Sequence, residues 1–129
     1  MLDGHFVVWD VRRSTERVSR DFEGFVAALG EFVLRIDEAD LANRFEATLL
    51  QNTGDGQIYQ FPTVVTARQF ANNLASIAID ELPVAVVVGS DKFTTSAFGV
   101  QSPFFWQIKS LTRTLPTDVT SVLDTTLVK

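Results

Sequence analysis

The stretch that most constrains this chain is Phe45–Phe61, FEATLLQNTGDGQIYQF. Two segments of strand character, Phe45–Gln51 and Gln57–Phe61, flank the tetrapeptide Thr53-Gly54-Asp55-Gly56. Asp-Gly between apolar runs is among the strongest local signals of a β-hairpin, because the turn needs positive φ and Gly adopts it without steric penalty. The expected product is an antiparallel ribbon with one carboxylate, Asp55, held at its tip. Gly on both sides of that Asp leaves room for a ligand to approach closely. Taken alone, an Asp-Gly pair is most simply a plain turn. A functional reading gains weight from a second aspartate in an unusual setting.

That second residue is Asp10. His5–Val11, HFVVWDV, is a near-continuous apolar run that suits a strand buried on both faces. A carboxylate near the end of such a strand is costly unless it is paired or bound to metal. Arg12-Arg13-Ser14-Thr15 follows directly, with Ser14 or Thr15 as N-cap of the next element. That element reads as one amphipathic helix over Thr15–Ile36, with Val18, Phe22, Phe25, Leu29, Phe32 and Ile36 recurring at steps of three and four. A polar connection over Asp37–Asn43 leads to the hairpin. A second helix starts at Pro62-Thr63 and ends near Asp80. Leu82–Val88 is a further buried strand, followed by a turn at Gly89-Ser90-Asp91 and a strand or loose hairpin arm over Lys92–Val100. Ser102-Pro103 opens a third helix with Phe104, Ile108, Leu111 and Leu115 on its apolar face, Phe105 and Trp106 reading as core or packing residues off that stripe. Thr120–Asp124 is the last strand.

The order β-α-β-β-α-β predicts an α+β fold, a ferredoxin-like (palm-type) sheet with helices on one face and a C-terminal β-α-β extension. In that topology the first strand lies centrally, beside the strand that enters the hairpin, so Asp10 and Asp55 meet across adjacent strands. Two carboxylates on rigid strands suit hard divalent cations, which take oxygen ligands and leave positions for phosphates. The turn Arg12–Thr15 runs into a helix N-terminus, where amides and the dipole favour phosphate.

Bulk properties narrow the alternatives. With 129 residues and 46% hydrophobic content, the chain is expected to form one domain. No apolar run is long enough to span a membrane, and the N-terminus lacks the basic leader of a signal peptide. Absence of cysteine removes disulfides and thiolate chemistry and fits a cytoplasmic protein. A formal charge of −5 argues against coating a nucleic acid duplex, although a metal ion can bridge the repulsion from a nucleotide. A single histidine, His5, supports neither a Ser-His-Asp triad nor a histidine metal cluster.

Val8-Trp9-Asp10-Val11-Arg12-Arg13-Ser14-Thr15 resembles the first metal motif of the class III nucleotidyl (adenylyl/guanylyl) cyclases, and Thr53-Gly54-Asp55-Gly56 resembles the second. The similarity covers about Phe6–Val88 well. It implies Asp10 and Asp55 as catalytic metal ligands for a pair of Mg²⁺ or Mn²⁺, with the Val11 carbonyl as a backbone ligand. It implies phosphate contacts from Arg12, Arg13, Ser14, Thr15 and Gly54. Gln51 matches the base-selecting position; as donor and acceptor it settles no base. Further implied are a nucleoside triphosphate substrate and a homodimer with sites at its interface. The family's Asn-and-Arg helix motif is replaced, with Trp106 and Ser110 at those positions, and Lys109 or Arg113 are candidates for the missing transition-state cation. The resemblance therefore implies a cyclase forming a 3′,5′-cyclic nucleotide and pyrophosphate. Its alternatives are a catalytically degenerate nucleotide-binding or dimerisation module, or a palm-type enzyme that forms dinucleotides.

Overall fold

A computed structural model describes residues 2–127; Met1, Val128 and Lys129, part of the domain expected from sequence, lie outside the described residues. The chain begins with β1 (Leu2–Val11), followed by α1 (Ser14–Arg20), α2 (Phe22–Glu38) and a single turn, α3 (Leu41–Arg44). The hairpin strands β2 (Thr48–Asn52) and β3 (Gly56–Phe61) lead into α4 (Val64–Ser76). Then come β4 (Val84–Ser96), β5 (Gly99–Gln101), two short helices α5 (Pro103–Trp106) and α6 (Ile108–Thr112), and β6 (Ser121–Asp124). The sheet order is β2-β3-β1-β4-β5, with β6 pairing β4 in parallel and every other pairing antiparallel.

The strand beside β1 is β3, which leaves the hairpin, whereas the entering strand β2 lies at the edge. Asp10 still reaches the hairpin, because its register partner on β3 is Gly56. β1 is buried on both faces as its apolar run predicts, but within an antiparallel sheet. Val7, Trp9 and Val11 face α2 and α4, packing with Phe25, Phe32, Phe70 and Leu74. Phe6 and Val8 face the opposite way, against Phe104 and Ile108 from the C-terminal extension. The two long helices thus cover one face, and the extension seals part of the other. A continuous apolar run reports two-sided burial, whichever direction the neighbouring strands take.

Several expected boundaries shift for local reasons. The long N-terminal helix is broken at Asp21, whose backbone leaves the helical region and whose carboxylate accepts the Gly24 N–H at 3.0 Å. A cap bond of this kind stabilises a fresh helix start. Helix periodicity survives the break, yet Phe22 is 61% exposed because it sits at the joint. The expected polar connection after α2 contains the turn α3, with Leu41 buried beneath it. No turn forms at Gly89-Ser90-Asp91, and β4 continues straight through. Gly89 pairs with Phe6, and a Cβ there would lie 2.2 Å from the Phe104 ring. That glycine makes room for an aromatic side chain. The C-terminal helix divides into α5 and α6, and Trp106 is 82% exposed and outside the core. Phe105 does pack, edge-on to Phe6 at 5.0 Å.

A buried polar network ties the hairpin to the core. Gln57 Oε1 accepts the Trp9 indole N–H at 3.2 Å and the Tyr59 hydroxyl at 2.6 Å, while Gln57 Nε2 donates to Asn52 Oδ1 at 3.0 Å. Gln57→Leu strands two buried donors, so a loss of about 1–3 kcal/mol is expected in chemical denaturation.

Candidate functional site

The hairpin tip is built by two glycines with different tasks. Gly54 has φ +90° and is the first of two central turn residues, the position where a type II′ connection requires positive φ. The Thr53 N–H donates to the Gly56 carbonyl at 3.0 Å across the turn. Gly56 belongs to β3 and meets β1 so closely that a Cβ would fall 1.9 Å from the Trp9 carbonyl oxygen. The turn is therefore centred on Gly54-Asp55, one position earlier than the Asp-Gly pair suggests. The space beside Gly56 is filled by the protein's own backbone.

Asp55 is held from several sides. Its carbonyl accepts the Val11 N–H at 2.9 Å, which pins the tip to the end of β1. Its carboxylate accepts the Ser14 hydroxyl at 2.7 Å and the Thr53 hydroxyl at 3.4 Å. Ser14 reaches it because Arg13 takes a left-handed conformation, φ 55°, that turns the chain sharply from β1 into α1. A non-glycine residue there costs about 1–2 kcal/mol.

Asp10 Oδ1 is buried, and no protein donor reaches it. Its carboxyl is raised to about 6, first by burial and then by the neighbouring Asp55 charge, against the opposing pull of Arg12 and Lys109. Asp10, Asp55, Ser14 and Thr15 line one open cleft of about 470 Å³, with Lys109 and Arg113 also on its wall. A second cleft of about 410 Å³ shares Ser14, Thr15 and Asp55 with the first and adds Thr53 and Gly54 from the hairpin tip.

Other candidates sit differently. Arg12 is engaged within the chain: its amide donates to the Pro83 carbonyl at 2.9 Å, and its guanidinium to the carbonyls of Thr112, Leu115 and Pro116 at 3.1–3.2 Å. It acts as a clamp between the β1–α1 turn and the end of α6, a role that residue type alone does not announce. Arg13 pairs at 3.7 Å with the exposed Asp118. Gln51 is exposed on the edge strand β2, beside a bulge between Leu49 and Gln51, and does not line the cleft.

Among the described residues no cluster of three or more His, Cys, Asp or Glu could hold a metal ion. The donor set is two carboxylates, one with an unpartnered buried oxygen. That composition fits a hard cation completing its shell with substrate oxygens, as Mg²⁺ commonly does in phosphate-handling sites. The electrostatics carry their own prediction. Because the folded pKa of Asp10 lies above its ordinary value, the stabilising contribution is complete below about pH 3.8 and is lost as pH rises through about 6. Asp10→Asn is therefore expected to stabilise the metal-free protein at pH 7.5 by up to about 3 kcal/mol, and by about a third of that at pH 4.5. Thermal melts at both pH values in chelator check this; equal gains at the two would contradict it.

No protein-family model and no curated protein matches the chain. Solved structures do. The chain is similar to a dimeric guanylyl cyclase domain of the RhoGC fusion protein from the aquatic fungus Blastocladiella emersonii, with TM-score 0.54, 14% identity, and coverage of 79% of this chain and 66% of that one. It is similar to the guanylate cyclase domain of RhGC from Catenaria anguillulae in complex with GTP, with TM-score 0.56, 14% identity, and coverage of 78% and 65%. A bacterial light-regulated adenylyl cyclase aligns over 92% of this chain and 74% of its own, with TM-score 0.56 and 10% identity. The chain spans just under two thirds of the length of those fungal domains. No helix among the described residues is long and apolar enough to cross a membrane. With helices packed on an antiparallel sheet and the hairpin beside a central strand, the chain has the fold of class III adenylyl and guanylyl cyclase catalytic domains.

Proposed function

We propose that the chain is a nucleotide cyclase, a one-domain catalyst that converts a nucleoside triphosphate to a 3′,5′-cyclic monophosphate and pyrophosphate. The observation that carries this reading is the shared cleft of Asp10 and Asp55, one with a buried, unpartnered oxygen. Likeness to cyclase domains, one of them in complex with GTP, supports it.

The carboxylates of Asp10 and Asp55 would hold the divalent cations, with the Val11 carbonyl as a backbone donor. When bound, Mg²⁺ or Mn²⁺ supplies neutralisation of triphosphate charge and activation of the attacking hydroxyl. The chain's own contribution is preorganisation. Ser14 and Thr53 hold the Asp55 carboxylate in one orientation, and the bond from Val11 to the Asp55 carbonyl fixes the tip against β1. Burial keeps Asp10 poorly hydrated, so less water must be displaced when a cation arrives. Ser14, Thr15 and Gly54 line the second cleft and present donors and open space for the phosphate chain. Protonation of Asp10 competes with cation binding, so affinity for Mn²⁺ should fall as pH drops below about 6.

Incubation of the protein with each of the four ribonucleoside triphosphates and Mn²⁺ tests the reading. A 3′,5′-cyclic product that disappears with Asp10→Ala is the expected outcome; no product from any triphosphate overturns it. A dinucleotide, identified by mass spectrometry, would move the chain to another reaction class.

A second reading, nucleotide binding without turnover, is favoured by the α5–α6 segment. There Trp106 is exposed and Ser110 stands where the resemblance implies an arginine. Calorimetry that detects triphosphate binding in a protein giving no product selects it.

A further inference from the structure

Among the described residues, most cationic side chains are engaged by carboxylates or backbone carbonyls of the chain itself, Arg12 and Arg68 being examples. Among those same residues, Arg20, Lys109 and Arg113 make no hydrogen bond or ion pair through their side chains. Two of these three, Lys109 and Arg113, line the cleft that contains Asp10 and Asp55. In a chain of formal charge −5, two cations at one cleft that make neither a hydrogen bond nor an ion pair are conspicuous, even though Lys109 attracts Asp10 at longer range and Glu16 shares the cleft wall.

Their placement follows from how α6 is seated. Ile108 and Thr112 are buried against the sheet, which leaves the intervening Lys109 pointing away from that packing. Arg113 keeps helical dihedrals at the C-cap and stands four residues after Lys109, so the two side chains share one side of the helix. The Arg12 guanidinium holds the carbonyls of Thr112, Leu115 and Pro116, fastening this helix end to the turn that follows Asp10. Like charges at this spacing repel, and an anion bridging them removes the repulsion.

We propose that Lys109 and Arg113 form the cationic half of the site in cis, so that one chain presents both the carboxylates for a divalent cation and the cations for a polyphosphate. The inference rests on the cyclase reading and departs from the interface-shared site that the resemblance implies. Its ligand class is a nucleoside triphosphate with its metal. Lys109 offers a point charge, and Arg113 offers a fork that matches two phosphate oxygens.

Calorimetric titration with inorganic tripolyphosphate in Mn²⁺ buffer tests it without relying on turnover. The wild-type chain is expected to bind. The double variant Lys109→Ala/Arg113→Ala should bind about 100-fold more weakly, roughly tenfold for each cationic side chain removed from the phosphates. Arg20→Ala, which removes an unpaired cation elsewhere, should bind as wild type does. Thermal melts of all three should coincide, because the three side chains are exposed. An equimolar mixture of Asp10→Asn and the double variant should recover no tight binding, since neither chain carries both halves. Recovery on mixing would place the cations in trans and overturn the proposal. Undiminished binding by the double variant would overturn it too, leaving the cyclase reading intact. Failure of the wild-type chain to bind would remove that reading and this inference together.

Discussion

Asp10→Ala is expected to abolish Mn²⁺-dependent conversion of a nucleoside triphosphate, lowering turnover by at least about a thousandfold, or roughly 4 kcal/mol of transition-state stabilisation. The size follows from the donor set. Three carboxylate residues, Asp10, Glu16 and Asp55, stand on the cleft wall, but no three among the described residues group closely enough to hold a cation, so nothing compensates for losing Asp10. The same substitution should leave the metal-free fold intact or slightly more stable at neutral pH, because it removes a half-buried carboxylate raised to about 6 by burial and by Asp55. Activity lost together with a raised or unchanged melting temperature separates a damaged site from a damaged fold. Retained turnover in a well-folded Asp10→Ala protein would sink the mechanism.

Gly56→Ala should be the most destabilising single-methyl change in the hairpin. The added Cβ falls 1.9 Å from the Trp9 carbonyl oxygen and 2.9 Å from the Asp10 Cα, and both are backbone atoms that no rotamer change can move. β3 must then separate from β1 at the Asp10–Gly56 pair. A cost of at least about 3 kcal/mol is expected, with a fall in melting temperature on the order of 10 °C. Gly54→Ala is the control. Its Cβ would meet nothing within 4 Å, so only the φ of +90° opposes it, at about 1–2 kcal/mol. Because the strand separation also moves Asp55 relative to Asp10, Gly56→Ala should weaken Mn²⁺ binding as well. Denaturant melts in which Gly54→Ala is the more damaging of the two would contradict the β1–β3 register.

Much of the fold is readable because its signals are local. Asp-Gly between apolar runs calls for a hairpin whatever surrounds it. Asp21 shows the limit: a cap bond to Gly24 ends one helix and starts another, while the apolar periodicity passes over the joint unbroken. Gly89 shows another, since a glycine after a strand reads as a turn until an aromatic ring is known to lie on it. Trp106 reads as a core residue by its type and is exposed, because α5 ends there and the chain turns into α6.

What the sequence determined by itself is the coarse alternation of strands and helical segments, the doubly buried first strand, and the hairpin that carries Asp55. These follow from side-chain pattern and backbone preference within a few residues. Only the tertiary structure decided that β3, not β2, lies beside β1, that Arg12 is a clamp and not a free cation, and that α6 brings Lys109 and Arg113 to the carboxylates. Those are contacts between segments far apart in the chain, set by which faces can be buried together, and no local preference encodes them.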